Sequence, residues 1–296
     1  MAKLRRIDAE LVRRKLARSR ADAAERIRQG RVKLDGQTIT KPSRQVDPAQ
    51  AIVVDREDRI EYASRGAYKL LGALEYLGDD APQISGVRAL DAGASTGGFT
   101  DVLLKYGASE VIAVDVGYGQ LLWRLREDPR VRVLERTNIR YLEPQVIAPL
   151  PQLVVGDLSF ISLTLVIPAL VACSTPDAKF LLMVKPQFEI GKGRLGEGGV
   201  VRDPRDHIET VLKVAHNAQE NMLQINAVAP SPLPGPKGNV EYFLYMEKVE
   251  NSHRDDENRS EQRIVDMITE AVHNGPAAQQ FSGTQAIRES AENNDE

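Results

Sequence analysis

The sequence predicts an α/β fold, and three observations predict it. Between residues 61 and 248, apolar strand-like runs alternate with helical stretches, an order that gives a sheet covered by helices on both faces. The segment Asp91-Ala92-Gly93-Ala94-Ser95-Thr96-Gly97-Gly98-Phe99-Thr100 puts a glycine-rich turn between a strand and a helix start. Ahead of both, residues 5–59 read as a small, basic α+β module.

The larger region comes first. Its strands are expected at 87–91, 110–115, 131–135, 152–157, 179–185, 223–229 and 240–247, and its helices at 68–77, 99–106, 119–127, 163–172 and 204–219. The last two strands are expected to pair as a hairpin across residues 230–239. In the basic module, Ile7, Leu11, Val12 and Leu16 fall at helical spacing, with Asp8 near the start. Ser19, with Asp22 three residues on, has a capping-box arrangement, and Gly30 stops the second helix. Asp35-Gly36 between alternating residues signals a hairpin, and a further strand follows at 51–54. The domain reading is therefore 5–60 for the basic domain, 61–67 for a joint, 68–248 for the α/β domain and 250–296 for an acidic, mostly disordered tail. Within that tail Ile264, Met267, Ile268 and Val272 allow a short amphipathic helix.

Charge is unevenly spread. The formal net charge is -3, yet residues 1–60 hold 16 Lys/Arg against 9 Asp/Glu, and residues 250–296 hold 4 against 11. A basic head on a near-neutral body suggests a polyanionic partner. Arg5, Arg6, Arg13, Arg14, Lys15, Arg18, Arg20, Arg26, Arg28, Arg31 and Lys33 carry that charge, and acidic residues at i±4 look too few to neutralise them. The single cysteine, Cys173, lies in an apolar segment and reads as a buried thiol. One cysteine and four scattered histidines make no zinc site, and no metal is expected. No secretory leader and no membrane-length apolar run are seen, so a soluble, cytoplasmic protein without stable membrane association is expected; it is taken to be a monomer.

The turn narrows the ligand. Its glycines fall at 93, 97 and 98, which fails the dinucleotide fingerprint, and no Lys-Ser/Thr follows, which fails the phosphate-binding loop. An acidic residue opens the turn, awkward for a phosphate and acceptable for a cation. The pattern resembles the S-adenosylmethionine loop of class I, Rossmann-like methyltransferases. That resemblance implies cofactor contacts from Asp91, Gly93, Ser95, Thr96, Gly97, Gly98 and Phe99. Asp91 would lie near the methionine end, Asp115 would accept from the ribose hydroxyls, and Asn138 would meet the adenine.

In an open α/β sheet, ligands bind beyond the carboxyl ends of the strands. Asp157 and Lys185 end two strands, Glu241 opens the last one, and Lys69 lies on the helix before the cofactor strand. Lys69, Asp157, Lys185 and Glu241 follow the order Lys–Asp–Lys–Glu of the FtsJ-type ribose 2′-O-methyltransferases. Supporting segments are Ser64-Arg65-Gly66-Ala67-Tyr68-Lys69-Leu70, Asp157-Leu158-Ser159-Phe160-Ile161-Ser162-Leu163, Lys185-Pro186-Gln187-Phe188-Glu189 and Lys237-Gly238-Asn239-Val240-Glu241. The basic module resembles the RNA-binding domain named after ribosomal small-subunit protein four. Together the two regions resemble the TlyA family, also labelled haemolysin A-like, over residues 5–248. Ala63 stands where a larger apolar residue is expected in that family.

The resemblance implies S-adenosylmethionine-dependent methylation of cytidine 2′-oxygens in ribosomal RNA of the small or large subunit. It also implies an influence on sensitivity to capreomycin-type antibiotics. A ribose hydroxyl must lose its proton as it attacks, and a lysine kept from water beside a second cation can take that proton. The resemblance gives that role to Lys185, with Lys69 as the second cation, Asp157 orienting Lys185 and Glu241 holding Lys69. It implies RNA contacts from Arg5, Arg6, Arg13, Arg14, Arg18, Arg20, Arg28, Lys33 and Arg65, mainly to shape and phosphates. Three other readings are open to the sequence. A pseudouridine synthase shares the basic module, but position 196 is Gly where its nucleophilic Asp would stand. A binding-only assembly factor would have lost Lys185 or the glycine turn, and both are present. A haemolysin-like pore would need a membrane-length apolar segment.

Overall fold

The computed structural model describes residues 4–17, 19–28, 30–54, 62–191, 193–235, 237–249 and 257–275. The chain divides into two compact units between Glu61 and Tyr62.

The first unit opens with strand β1 (Arg5–Arg6), helix α1 (Ile7–Arg13) and helix α2 (Arg20–Arg28). Ser19 Oγ accepts the Asp22 N–H at 3.2 Å, the expected cap. Strands β2 (Val32–Leu34) and β3 (Gln37–Ile39) pair as a hairpin, with β4 (Gln45–Val46) against β1 and β5 (Ile52–Val54) against β2. The hairpin turn holds Asp35 at φ 49° and Gly36 at φ 84°, both left-handed, as a two-residue turn of this hand requires. Ile7, Leu11, Ala23, Ile27, Val32 and Ile39 fill its core.

The second unit begins with helix α3 (Ala67–Leu77) and runs on through β6 (Arg88–Ala92), α4 (Gly98–Lys105), β7 (Glu110–Val114), α5 (Trp123–Arg126), β8 (Val131–Leu134), α6 (Pro144–Ile147) and β9 (Leu153–Gly156). It continues with α7 (Ile167–Ala172), β10 (Lys179–Val184), α8 (Pro186–Glu189), α9 (Pro204–Glu220), β11 (Leu223–Pro230), β12 (Tyr242–Lys248) and α10 (Glu257–Asn274). Seven of these strands form one sheet in the order β11-β12-β10-β9-β6-β7-β8. Strands β10, β9, β6, β7 and β8 are parallel, and β12 runs antiparallel between β10 and β11. Side chains alternate between the two faces, as the period of two demands. Leu90, Phe180, Leu182 and Leu244 face one core, while Ala89, Leu181, Met183 and Phe243 face the other. Both faces are covered, so the central strands are apolar on both sides along most of their length, with buried Asp91 in β6 an exception.

Three expectations change. The helix expected at 119–127 is only the single turn α5. Gly119 at φ 69° and the extended Leu122 interrupt it, and Leu121 and Leu125 turn inward against Gly97. The stretch 163–172 splits into a 3₁₀ turn (Leu163–Leu165) and α7, because Pro168 can sit only in a helix's first turn. The tail supplies an 18-residue helix rather than a short one: α10 packs on α9 and β11 through Ile264, Ile268, Ala271 and Val272. Residues 250–256 and 276–296 of that tail, and 55–60 of the basic domain, lie outside the described residues. Among the described residues, no helix is long and apolar enough to cross a membrane.

The first unit rests on two buried acids. Asp8 accepts from Arg6 and Arg20, and Glu10 from Arg13 and Arg14. The arginines hold both carboxyls down at about 2 against the opposing effect of burial. A carboxyl depressed on folding stabilises fully above its unfolded value, near 4, and loses that contribution as pH falls towards 2. Protection of residues 4–54 in the full chain against hydrogen exchange, relative to the intrinsic rate at each pH, should therefore fall over that acid range. Glu10→Ala should destabilise this unit by about 1–3 kcal/mol at neutral pH, read by the same exchange.

Candidate active site

The carboxyl edge of the parallel strands carries the site. Asp91 lies in β6, and the turn after it passes directly against the end of β9. A Cβ on Gly93, which has φ 86°, would stand 3.2 Å from the Asp157 carbonyl oxygen and 3.1 Å from Leu158 Cδ2. Gly97 takes φ 96° at the start of α4, where a Cβ would overlap Leu121 and Leu125. Gly98 lies against residues 64–67, its missing Cβ 2.5 Å from Ser64 Oγ and 2.9 Å from Ala67 N. These absences leave a cleft of about 170 Å³ lined by Ser64, Gly66, Gly93, Ala94, Ser95, Thr96, Gly98, Phe99, Asp157 and Ser159.

Two acids flank the turn. Asp91 is buried; its Oδ2 accepts Thr100 N at 2.9 Å and Thr100 Oγ1 at 2.7 Å, while Oδ1 has no partner. Burial pushes this carboxyl up to about 7, with Asp157 and Asp115 adding to the rise and the Thr100 bonds opposing it. Asp115 follows β7 and accepts from Ser95 N at 2.8 Å and Gly117 N at 2.7 Å. Asn138 follows β8 and spends its side-chain oxygen on Arg140 N at 3.0 Å, and it lines neither cleft beside the turn.

The other four residues meet. Asp157 and Lys185 directly follow β9 and β10. Glu241 directly precedes β12, which runs the opposite way, and Val184 pairs with Tyr242, so Glu241 comes to the same edge as Lys185. Helix α3 brings Lys69. Lys69 Nζ lies 2.5 Å from Glu241 Oε2 and 3.5 Å from Asp157 Oδ2, and Lys185 Nζ lies 2.6 Å from Asp157 Oδ1. The row Glu241–Lys69–Asp157–Lys185 alternates in sign, and Lys69, Lys185 and Glu241 are buried. An ammonium held beside a carboxylate can orient a hydroxyl, and once it has given up a proton the free amine can take the hydroxyl's proton.

Two neighbours were not singled out in the sequence. Lys185 Nζ donates to Ser159 Oγ at 2.8 Å, and Gln187 Nε2 stands 3.5 Å from Glu241 Oε1. Their signal was positional, two residues beyond Asp157 and two beyond Lys185, and side chains so common as Ser and Gln do not announce it. Phe160, with φ 64°, is almost wholly exposed, its ring 5.2 Å from that of Phe188.

Many of these basic residues are paired: Arg6 and Arg20 share Asp8, Arg13 and Arg14 share Glu10, Arg26 pairs with Asp22 and Arg28 with Glu25. An i±4 count finds only Arg14–Glu10 and Arg26–Asp22 of these, because the other pairs sit at spacings of two, three and twelve. Arg14 is further engaged by the Pro48 and Gln50 carbonyls. Arg5 lies exposed in β1, Lys33 partly buried in β2, and Arg65 exposed in the turn before α3. Arg18 lies outside the described residues. A paired guanidinium keeps its charge and its other N–H groups, so pairing fixes these side chains without neutralising the module's excess.

Residues 62–248 match the FtsJ-like methyltransferase family and residues 5–52 the S4 domain. A curated Mycobacterium tuberculosis protein, named 16S/23S rRNA (cytidine-2'-O)-methyltransferase TlyA, is 52% identical over 276 residues, 93% of this chain and 100% of that one. The chain belongs to the TlyA family. Within it, Hemolysin A of Brachyspira hyodysenteriae is 34% identical over 77% of this chain and 93% of its own. A solved Streptococcus thermophilus structure, provisionally named a hemolysin, superimposes with TM-score 0.67 at 32% identity, covering 97% of this chain and 100% of that one.

Removing Lys69 alone would strand Glu241, which is 1% exposed. Lys69→Met should cost roughly 3–5 kcal/mol, the range for an orphaned buried charge. The double variant Lys69→Met/Glu241→Gln should recover most of that loss. Chemical denaturation of the two variants beside the wild type checks the order.

Proposed function

We propose that this chain transfers a methyl group from S-adenosylmethionine to the 2′-oxygen of a cytidine in ribosomal RNA. The observation that carries the reading is the row of Lys69, Asp157, Lys185 and Glu241, three of them buried and Asp157 lining the glycine-turn cleft. It is supported by the name of the 52%-identical relative and by the S4 match, which favours structured RNA. The RNA contacts proposed for the S4 unit are those of its basic side chains, and the place of action is the cytoplasm, where ribosomal subunits are found.

The cleft suits the cofactor. Asp91 Oδ1 is a buried acceptor without a partner, suited to the ammonium of the methionine end. Each Asp115 oxygen accepts one backbone N–H and keeps a lone pair for a ribose hydroxyl. Gly93 and Gly98 let the backbone come close, Ser95, Thr96 and Phe99 complete the wall, and Gly97 shapes the turn; Asn138, outside the cleft lining, keeps its amide N–H groups for the adenine. When bound, the cofactor's sulfonium supplies an activated methyl group and leaves as a neutral thioether.

The protein's own groups handle the proton and the geometry. Asp157 and Ser159 hold Lys185 Nζ from two sides, which aims the group assigned to take the ribose hydroxyl proton. Glu241 holds Lys69, whose charge sits beside Asp157 on the side away from Lys185. Alignment of the hydroxyl with the methyl group then carries much of the acceleration.

Two outcomes follow. Lys185→Ala should lower labelled methyl transfer to ribosomal subunits lacking the modification by about 100-fold or more, with cofactor affinity unchanged. Transfer at the wild-type rate would refute the assignment. Cofactor binding should also depend on pH through Asp91. The cation needs an ionised carboxylate, and burial pushes this one up to about 7. Affinity should be full above that value and fall by up to about tenfold per pH unit below it. Calorimetry across this range should show the slope in the wild type and a weak, flat response in Asp91→Asn.

A further inference from the structure

Glu189 is a buried acid outside the charge row. It ends α8, four residues after Lys185, and is 4% exposed. Burial pushes its carboxyl above the usual range, and a buried acid costs stability that an apolar side chain of the same size would not. Its carboxylate crosses to the other site loop: Oε2 accepts from Ser162 Oγ at 2.5 Å and Oε1 from Leu163 N at 2.7 Å. From α9, Lys213 Nζ holds the Glu189 carbonyl at 3.0 Å.

The loop that Glu189 grips is the one that leaves β9 with Asp157 and carries Ser159, the two groups holding Lys185. Its near end is stitched to β6, where Asp157 N donates to Ala92 O at 3.2 Å. Between the ends, Phe160 adopts a left-handed backbone, a strained state for a bulky residue that persists only where its surroundings impose it. Helix α8 begins directly after Lys185. One four-residue helix therefore sets the base at its start and, at its end, the loop that aims the base.

We propose that Glu189 is a positioning residue for methyl transfer: its carboxylate ties the Asp157–Ser159 loop to α8 and so fixes the distance from that loop to Lys185. The proposal rests on the methyltransferase reading. Its mechanical half, the tether, is measurable without activity. Displacements of about 1 Å in such groups cost on the order of 100-fold in rate.

Glu189→Leu fills the space and offers no acceptor. In the full chain it should speed hydrogen exchange across residues 157–163 by about tenfold or more, leaving β12 and α9 unchanged. It should lower kcat by about 10- to 100-fold while cofactor affinity and Tm stay near the wild type. Glu189→Gln keeps an acceptor for Leu163 N–H and an amide donor for Ser162 Oγ, so it should restore both the slow exchange and most of kcat. Ser162→Ala, which cuts one bond from the loop side, should shift both readouts in the Leu direction by less. Unchanged exchange in Glu189→Leu and Ser162→Ala would overturn the tether. Faster exchange with unchanged kcat would overturn the positioning role. A Glu189→Gln as slow in catalysis as Glu189→Leu would overturn it too, pointing to the carboxylate's charge instead. A wild type that transfers no methyl group would sink the functional reading, while exchange alone would still decide the tether.

Discussion

Two ammonium groups and two carboxylates share one mostly buried edge of the sheet, and each is balanced only by its neighbours. Glu241 holds Lys69, Lys69 also approaches Asp157, and Asp157 holds Lys185. Burying such charges is costly unless partners stand within contact distance, so the elements that deliver them must be rigid. Helix α3, the ends of β9 and β10 and the start of β12 each deliver one. The antiparallel insertion of β12 between β10 and β11 is what makes this possible, because a parallel strand would bring its first residue to the opposite edge.

The same edge couples the row to the cofactor turn. Gly93 leaves room for the Asp157 carbonyl and Leu158, and Gly98 leaves room for Ser64. A side chain at either glycine would push apart the turn and the loop bearing Asp157, or the turn and residues 64–67. The glycine pattern therefore answers to the packing of neighbouring backbone as much as to a ligand. Asp91, with one carboxylate oxygen engaged by Thr100 and the other free of protein partners, stands where the turn begins.

Most of this architecture was legible in the sequence because its signals are local or periodic. The apolar strands, the Asp35-Gly36 turn, the Ser19 cap and the glycine turn each follow from a few adjacent residues. The four-residue row was legible only through family resemblance, since spacings of 88, 28 and 56 residues carry no local signal. What could not be read was pairing in space. Asp8 gathers Arg6 and Arg20 at spacings of two and twelve, which a count of helical neighbours cannot find. The bonds from Lys185 to Ser159 and from Ser162 to Glu189 join segments about 26 residues apart. Residues 119–127 show helical periodicity because Leu121 and Leu125 do face inward, but the glycines at 117 and 119 leave only one turn helical.

The central claim is that this row of charges serves a ribose hydroxyl rather than a base. Nucleoside mass spectrometry of ribosomal RNA, treated with the enzyme and cofactor and digested completely, tests it directly. The account predicts a methyl group on the sugar of cytidine, as 2′-O-methylcytidine. A methyl group on a nucleobase would contradict it, because a ring nitrogen or carbon needs no base poised for a ribose hydroxyl.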